Sequence, residues 1–129
     1  FGIRAAWGIS KFILMLVFTY GTLKKGYHNN YLLRDSECKG TTTTPALFNL
    51  FDGPYPIAEI KGTTAIQGEV YEVSGEVYKD LCDLEGVDRQ WYTPMDIDTD
   101  LGKCKIFVQR AGQSNRSQEL LITSGVWER

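Results

Sequence analysis

The residue whose position is most informative about chemistry is Glu85. It lies four positions after Leu81 and seven after Tyr78, which places it on the apolar side of a predicted helix. Burial and the negative end of a helix dipole both disfavour an ionised carboxylate, so we expect a raised pKa for Glu85. Such a group suits general acid-base catalysis near neutral pH. The structural alternative is that Glu85 lies at the edge of this apolar side and that its carboxylate turns into solvent or pairs with Arg89.

A second candidate for chemistry is the segment Tyr20-Gly21-Thr22-Leu23, which follows a run of apolar residues. A glycine directly after a buried strand lets the backbone approach a ligand closely and present N–H groups to an anion. A substrate carboxylate could bind there. The segment lacks the Gly-Lys-Ser/Thr ending of a phosphate loop, and its structural alternative is a plain strand-ending turn.

An acidic stretch has some features of a calcium-binding loop. Asp96, Asp98 and Asp100 alternate as the first ligands of such a loop do, but Leu101 and Phe107 stand where it needs Gly and Glu. We therefore interpret the stretch as a solvated acidic turn between two strands.

The histidine and cysteines limit the other kinds of site. The single histidine, His28, excludes a metal site built on several imidazoles. Cys38, Cys82 and Cys104 cannot all pair within one chain, and they lack the close spacing of metal ligands. We expect a reduced, cytoplasmic protein without a metal site. A nucleophilic pair of His28 with Cys82 or Cys38 is a lesser alternative, because Cys82 lies beside the apolar stripe and suits packing.

The composition indicates one compact domain. The chain has 129 residues, of which 43% are hydrophobic and 23% charged, and a net charge of -2, which argues against disorder. Its basic residues are scattered, so we expect no nucleic-acid partner. The apolar run 12–18 is short and lacks a small-residue cleavage site, so we interpret it as a strand rather than a targeting or membrane segment. We assign residues 15–129 to the domain and residues 1–14 to an upstream extension or a cloning remnant.

Local patterns predict the elements that position these residues. Ser74 is a plausible N-cap and Gly86 a left-handed terminator, so we expect a helix over 75–85. We predict strands at 14–20, 65–73, 95–97 and 103–109, a short helix at 29–33, irregular strands and turns at 38–60, and a final apolar segment at 120–127. This mixture indicates an α+β domain whose sheet closes into a small barrel.

Three segments together resemble the γ-glutamylcyclotransferase superfamily, and most closely its γ-glutamylamine cyclotransferase branch. They are the strand and loop from Val17 to Gly26, the turn Gly53-Pro54-Tyr55-Pro56, and the stretch from Gly68 through the helix to Leu84-Glu85-Gly86, with Tyr92 beyond it. Their order and spacing agree with the family over roughly residues 15 to 110.

The resemblance implies a small mixed β-barrel with short flanking helices. In it Glu85 is the catalytic proton acceptor and donor, residues Tyr20, Gly21, Thr22 and Leu23 bind the substrate, and Tyr55 and Tyr92 complete the pocket wall. The implied activity is that of an enzyme that releases 5-oxoproline from a small γ-glutamyl substrate, without a cofactor. The alternatives are a non-catalytic ligand-binding or interaction module on the same fold, and a purely structural protein. The leaving amine and the oligomeric state stay open.

Overall fold

The computed structural model describes residues 14–128. Within that range the elements are β1 (Leu14–Thr19), β2 (Glu37–Thr43), β3 (Phe48–Phe51), β4 (Ile57–Ile60), β5 (Gln67–Ser74), α1 (Gly75–Leu84), β6 (Thr93–Thr99) and β7 (Gly102–Val108), with short 3-10 helices at Asn30–Leu33, Val87–Arg89 and Gln118–Leu120. The predicted upstream segment 1–14 lies outside the described residues, apart from Leu14, the first residue of β1.

The main sheet is mixed and has five strands in the order β2-β5-β1-β7-β6. β1 is its central strand, antiparallel to β5 and parallel to β7. β3 and β4 form a separate hairpin, which is attached to the end of β7 through Gln109. The amide of Gln109 donates to the carbonyl of Ala58 at 2.8 Å, and its carbonyl accepts from the amide of Ile60 at 2.9 Å.

Both faces of the sheet are covered, as the loose alternation of apolar residues in β5 predicts. One face presents Phe18 and Val70 to a core that also contains the β3–β4 hairpin and Trp127. The other face presents Tyr71 and Val73 to a second core that contains Leu81 of α1. The strands therefore have two apolar sides, and the predicted α+β class is confirmed.

Within residues 14–128 the main sheet does not close into the predicted barrel. β2 and β6 are the two edges of the five-stranded sheet and share no ladder. The Thr42 hydroxyl of β2 donates to the carboxylate of Asp100, in the turn after β6. The hairpin supplies the physical reason, because Phe48 and Leu50, both fully buried, pack in the core on the face of the sheet that presents Phe18 and Val70. Closure is not needed to bury that side.

The helix that leads to the candidate site is capped as the sequence predicts. The Ser74 hydroxyl accepts a hydrogen bond from the amide of Val77 at 3.3 Å, and Gly86 is left-handed with φ of 64°. α1 ends at Leu84, so Glu85 is its C-cap rather than its last residue. Leu84, the last residue of α1, is 38% exposed.

Candidate active site

A cavity of about 750 Å³ lies between the loop after β1, the β3–β4 turn and the end of α1. All seven predicted site residues line it: Tyr20, Gly21, Thr22, Leu23, Tyr55, Glu85 and Tyr92. The fold thus brings together groups that are up to 72 positions apart (92 minus 20) in the sequence. Their roles in binding and catalysis remain predictions at this point.

Glu85 reaches this cavity because α1 ends at its wall. The amide of Glu85 donates to the carbonyl of Leu81 at 2.9 Å, which closes the last turn of the helix. The side chain is partly buried, and burial raises the pKa of its carboxyl group to about 7. The alternative pairing with Arg89 is not formed, since the Arg89 guanidinium lies 4.1 Å from the centre of the Trp91 ring. Within residues 14–128 no cation forms an ion pair with Glu85.

Two buried tyrosines form the wall around the carboxyl group. The Tyr20 hydroxyl donates to the carbonyl of Phe107 at 2.6 Å and accepts a backbone N–H of β4 at 3.2 Å. The Tyr92 hydroxyl donates to the carbonyl of Pro56 at 3.1 Å. Burial, with a further contribution from the nearby Glu85 carboxylate, raises the pKa of both hydroxyls. They therefore stay neutral, and the hydroxyl of Tyr20 holds the loop after β1 to β7 and β4.

The loop at residues 21–23 presents donors rather than acceptors. Its three carbonyl oxygens accept hydrogen bonds from the amides of Lys24 and Asn29 at 3.0 Å and from the side-chain amide of Asn30 at 2.8 Å. The three N–H groups of residues 21–23 donate to no acceptor within the described chain. Successive free N–H groups at a cavity form a site for an anion.

Gly21 is required by packing against the neighbouring turn. Its φ lies outside the left-handed region, so the backbone itself would accept another residue. A Cβ on Gly21 would however lie 2.5 Å from Cγ of Pro56. The reason predicted from the sequence was close approach of a ligand, and the structure adds a second one, the Pro56 ring.

Sequence reasoning missed Arg116, which also lines the cavity. Its Nη1 donates to the carbonyl of Tyr55 at 2.8 Å and to the carbonyl of Asp52. Its guanidinium carbon lies 4.9 Å from the centre of the Tyr55 ring. The surrounding segment 110–118 is polar and has no periodicity, so its sequence gave no signal that separates Arg116 from a solvated charge.

A buried glutamate holds the segment that carries Arg116. Glu59 is only 7% exposed, and its Oε2 accepts hydrogen bonds from the Ser114 hydroxyl at 2.6 Å and from the Ser114 amide at 3.2 Å. Gln109, beside it in the cavity wall, has a buried Oε1 without a hydrogen-bond partner in the described part of the chain. These groups too were missed, because each depends on long-range contacts.

The other candidate sites do not assemble. The acidic stretch faces lysines of β7, with Asp96 at 2.8 Å from Lys105 and Asp98 at 3.8 Å from Lys103, so it is a charged hairpin rather than a calcium loop. In the range 14–128 no group of three or more His, Cys, Asp or Glu side chains could hold a metal ion. Over the same residues, no helix has the length and apolar character needed to cross a membrane.

The predicted histidine–cysteine alternative is not supported by the geometry. His28 lines the cavity, but neither Cys38 nor Cys82 does. Burial raises the pKa of the Cys82 thiol, which disfavours the reactive thiolate. The cavity groups that could do chemistry are therefore the Glu85 carboxyl, for proton transfer, and the backbone N–H groups of residues 21–23, for binding an anion.

A carboxyl group with a pKa raised to about 7 and free backbone N–H groups line the same cavity, an arrangement that could serve acid-base chemistry on a small anionic molecule. Residues 17–129 match the family described as gamma-glutamyl cyclotransferase, AIG2-like. The chain therefore belongs to the gamma-glutamyl cyclotransferase, AIG2-like, family, and the superfamily resemblance seen in the sequence is confirmed.

Individual relatives agree with this assignment. A Vibrio cholerae protein provisionally named a gamma-glutamylcyclotransferase is 34% identical over 113 residues, which cover 87% of this chain and 94% of that protein. An AIG2-like protein from Mus musculus is similar in structure, with a TM-score of 0.74, 21% identity and coverage of 89% of this chain and 88% of that chain. An uncharacterised Pyrococcus horikoshii protein gives a TM-score of 0.72, 24% identity and coverage of 87% and 88%. The two structures support the fold alone.

Proposed function

We propose that the chain is a γ-glutamylamine cyclotransferase. It would catalyse the intramolecular aminolysis of a γ-glutamyl amine, such as γ-glutamyl-ε-lysine, and release 5-oxoproline and a free amine. The observation that carries this proposal is that Glu85, with a pKa of about 7, and the free N–H groups of residues 21–23 line the same cavity. Membership of the family supports the reaction type. The choice of an amine-type substrate rests on the sequence resemblance.

Glu85 would move one proton in each direction. As a carboxylate it takes a proton from the α-ammonium group of the substrate, whose nitrogen then attacks the γ-carbonyl carbon. The new C–N bond closes the five-membered lactam, and the bond from that carbon to the leaving nitrogen breaks. Glu85, now a carboxylic acid, donates its proton to the leaving amine, and the extra proton on the new lactam nitrogen passes to solvent. A pKa near 7 suits both steps, because acid and base forms are both populated at neutral pH.

The loop and the tyrosine wall would favour the cyclising conformer of the substrate. Nucleophile and electrophile belong to one molecule, so the protein must mainly hold them in contact. The N–H groups of residues 21–23 would bind the α-carboxylate of the γ-glutamyl group. Tyr20 and Tyr92, both under 10% exposed, limit access of water to Glu85. A drier environment strengthens the electrostatic contacts made to the substrate.

The proposal is tested by incubating the purified protein with γ-glutamyl-ε-lysine, γ-glutamyl-alanine and glutathione in parallel and measuring 5-oxoproline. We expect release from γ-glutamyl-ε-lysine at a rate well above that of a Glu85→Gln variant. Release from glutathione alone would contradict the amine-type assignment. If no substrate is turned over but 5-oxoproline binds in a calorimetric titration, the chain is the ligand-binding module that was considered as the alternative.

A further inference from the structure

Asn29 is bonded twice to the loop after β1. Its backbone N–H donates to the carbonyl of Thr22 at 3.0 Å, and its side-chain Nδ2 donates to the hydroxyl oxygen of Thr22 at 2.9 Å. Both residues line the cavity that also contains Glu85. Because the backbone hydrogen bond already joins residue 29 to Thr22, the side-chain hydrogen bond is not needed to hold the two residues together.

The side chain of Asn29 is also not used for the helix that follows it. Asn29 is the N-cap of the 3-10 helix Asn30–Leu33, where an asparagine side chain ordinarily accepts a hydrogen bond from a backbone N–H of the first turn. No side-chain cap hydrogen bond is formed here. The side-chain amide instead bonds Thr22, seven positions earlier in the chain. The asparagine side chain therefore serves the cavity wall rather than the helix end.

The direction of this hydrogen bond determines what the Thr22 hydroxyl can do. A threonine hydroxyl has one proton to donate and two lone pairs with which to accept. An amide nitrogen only donates, so the Thr22 oxygen is the acceptor and keeps its own proton. Among residues 14–128 that proton has no acceptor. Thr22 therefore has a hydroxyl proton to offer to a ligand in the cavity.

The hydroxyl proton adds a second kind of donor to the anion-binding loop. The backbone N–H of Thr22 is one of the three N–H groups of residues 21–23 that have no acceptor in the described chain. Hydrogen bonds to a carboxylate are about twice as strong as those between neutral groups. A hydroxyl rotates to suit its surroundings, so a fixed donor at its oxygen is what keeps its proton free for the ligand.

We propose that Asn29 is a positioning residue, whose side-chain amide fixes the Thr22 hydroxyl so that this hydroxyl donates to the α-carboxylate of the γ-glutamyl group. This inference rests on the proposed function. It makes Thr22 a binding residue through its side chain as well as its backbone. Asn29 acts through Thr22 and takes no part in proton transfer.

Asn29→Asp tests the direction of the hydrogen bond. Aspartate matches asparagine in size and as an N-cap, but an ionised carboxylate only accepts, so it takes the Thr22 proton. We expect the Kd of 5-oxoproline and the KM of γ-glutamyl-ε-lysine to rise about ten- to a hundredfold, the range that a hydrogen bond to a charged group supplies. The kcat should change less than about threefold, because Glu85 is untouched.

A neutral ligand and a matched charge complete this test. 5-Oxoprolinamide lacks the carboxylate, so its Kd should rise at least about fivefold less than that of 5-oxoproline. Gln118→Glu is the control, because it adds the same charge at an exposed residue that does not line the cavity. If Asn29→Asp leaves the Kd of 5-oxoproline unchanged, the Thr22 hydroxyl donates to residue 29 and not to the ligand, and the inference is overturned.

A double-mutant cycle without added charge tests whether Asn29 acts through the hydroxyl. Asn29→Ala keeps the backbone hydrogen bond and should raise the Kd of 5-oxoproline about three- to tenfold. In a Thr22→Val background, where no hydroxyl is left to orient, the same change should have an effect of less than about 1.5-fold. Thr22→Ser restores a hydroxyl and should restore the sensitivity to Asn29→Ala. Equal effects of Asn29→Ala in the parent and in Thr22→Val overturn the inference.

The parent protein separates this inference from the proposed function. If it releases 5-oxoproline and the cycle shows no coupling, the proposed function stands and the role of Asn29 is refuted. If it neither releases nor binds 5-oxoproline, the proposed function fails and the inference falls with it. The cycle decides the question even if Asn29→Asp fails to fold, which far-UV circular dichroism of each variant establishes.

Discussion

Glu85 acquires its properties from where α1 ends. Glu85 is the C-cap, so the last turn of the helix fixes its backbone. Its side chain forms part of the cavity wall. Burial then disfavours the carboxylate and raises the pKa to about 7. The sequence pattern predicted both the position and the direction of the shift, because Leu81 and Tyr78 fix the inward side of the helix.

The pH profile of turnover follows from this pKa. If Glu85 is the base, kcat/KM should rise with pH through one ionisation near 7, because only the carboxylate can accept the α-ammonium proton. Glu85→Gln should lower kcat by about a hundredfold or more and abolish this rise. The measurement is 5-oxoproline release between pH 5 and 9. A Glu85→Gln variant that keeps both the rise and most of the turnover would remove Glu85 from the mechanism.

The same pKa shift predicts an effect on stability. Glu85 has a pKa of about 7 in the fold, above its ordinary unfolded value, so the folded state binds more protons between the two pKa values. Its contribution to stability is full below the unfolded pKa and is lost as pH rises through about 7. Glu85→Gln should therefore raise the free energy of unfolding at pH 8 by about 1–3 kcal/mol, allowing for partial exposure of the carboxyl group.

Urea unfolding at pH 5 and pH 8 measures that effect. The increase in the free energy of unfolding caused by Glu85→Gln should be near zero at or below the pKa of Glu85 in the unfolded chain, and largest at pH 8. Glu128→Gln is the matched control, since Glu128 is exposed and should give no such difference. A Glu85→Gln variant that is no more stable than the parent protein at pH 8 would show that the buried carboxylate carries no penalty.

The contact between Gly21 and Pro56 gives a prediction that isolates packing from ligand binding. Gly21→Ala should lower the free energy of unfolding by about 1–3 kcal/mol, because the new Cβ overlaps the Pro56 ring. Pro56→Ala removes Cγ and Cδ, so the double variant should lose less than the sum of the single losses, with a coupling of about 1 kcal/mol. Thermal or urea unfolding of the four proteins tests this. If the losses of stability in the two single variants add exactly in the double variant, the β3–β4 turn moves away from the new Cβ without a loss of stability.

At the scale of elements, the sequence predicted the helices and strands that depend on local patterns better than the segments that depend on long-range contacts. The ends of α1, the strand β1 and the hairpin strands β6 and β7 follow from caps, apolar runs and alternation, all of which lie within a few residues. The segment 110–118 shows the limit. Its position is set by Glu59, which lies 55 residues before Ser114, and no local pattern records such a contact.

The Glu59–Ser114 contact should matter for substrate binding more than for the chemical step. Ser114→Ala removes the 2.6 Å hydrogen bond to a carboxylate that is 7% exposed, so the segment carrying Arg116 should loosen. We expect a loss of about 1–3 kcal/mol in stability and a rise in KM with kcat changed less than about threefold, because Glu85 is untouched. Gln118→Ala, an exposed change in the same region, is the control. A fall in kcat with an unchanged KM would contradict this division of roles.

At the scale of the whole molecule, the sequence patterns did not predict that the five-stranded sheet stays open in residues 14–128. Alternation in β5 correctly indicated that both faces are covered, but it does not say what covers them. In a barrel the interior is filled by side chains of the sheet's own strands, whereas here the β3–β4 hairpin and Trp127 also pack in the core on one face of the sheet. The difference depends on whether β2 pairs with β6. Both are edge strands with several exposed polar residues, a composition that suits unpaired edges.

Trp127 tests whether this covering holds the molecule together. It is 2% exposed, its indole N–H donates to the Asp52 carboxylate at 3.0 Å, and its carbonyl accepts from Lys24 Nζ at 2.7 Å. Removing a buried aromatic leaves a cavity and takes one hydrogen-bond donor from Asp52, so Trp127→Ala should lower the free energy of unfolding by about 3–5 kcal/mol. Trp91→Ala is the matched control, because Trp91 is 53% exposed and its loss should cost less than about 1.5 kcal/mol. Urea unfolding followed by far-UV circular dichroism compares the two without relying on the lost fluorophore. Similar small losses would mean that residues 121–128 cover this face of the sheet without stabilising it, and that the hairpin provides the stabilising cover.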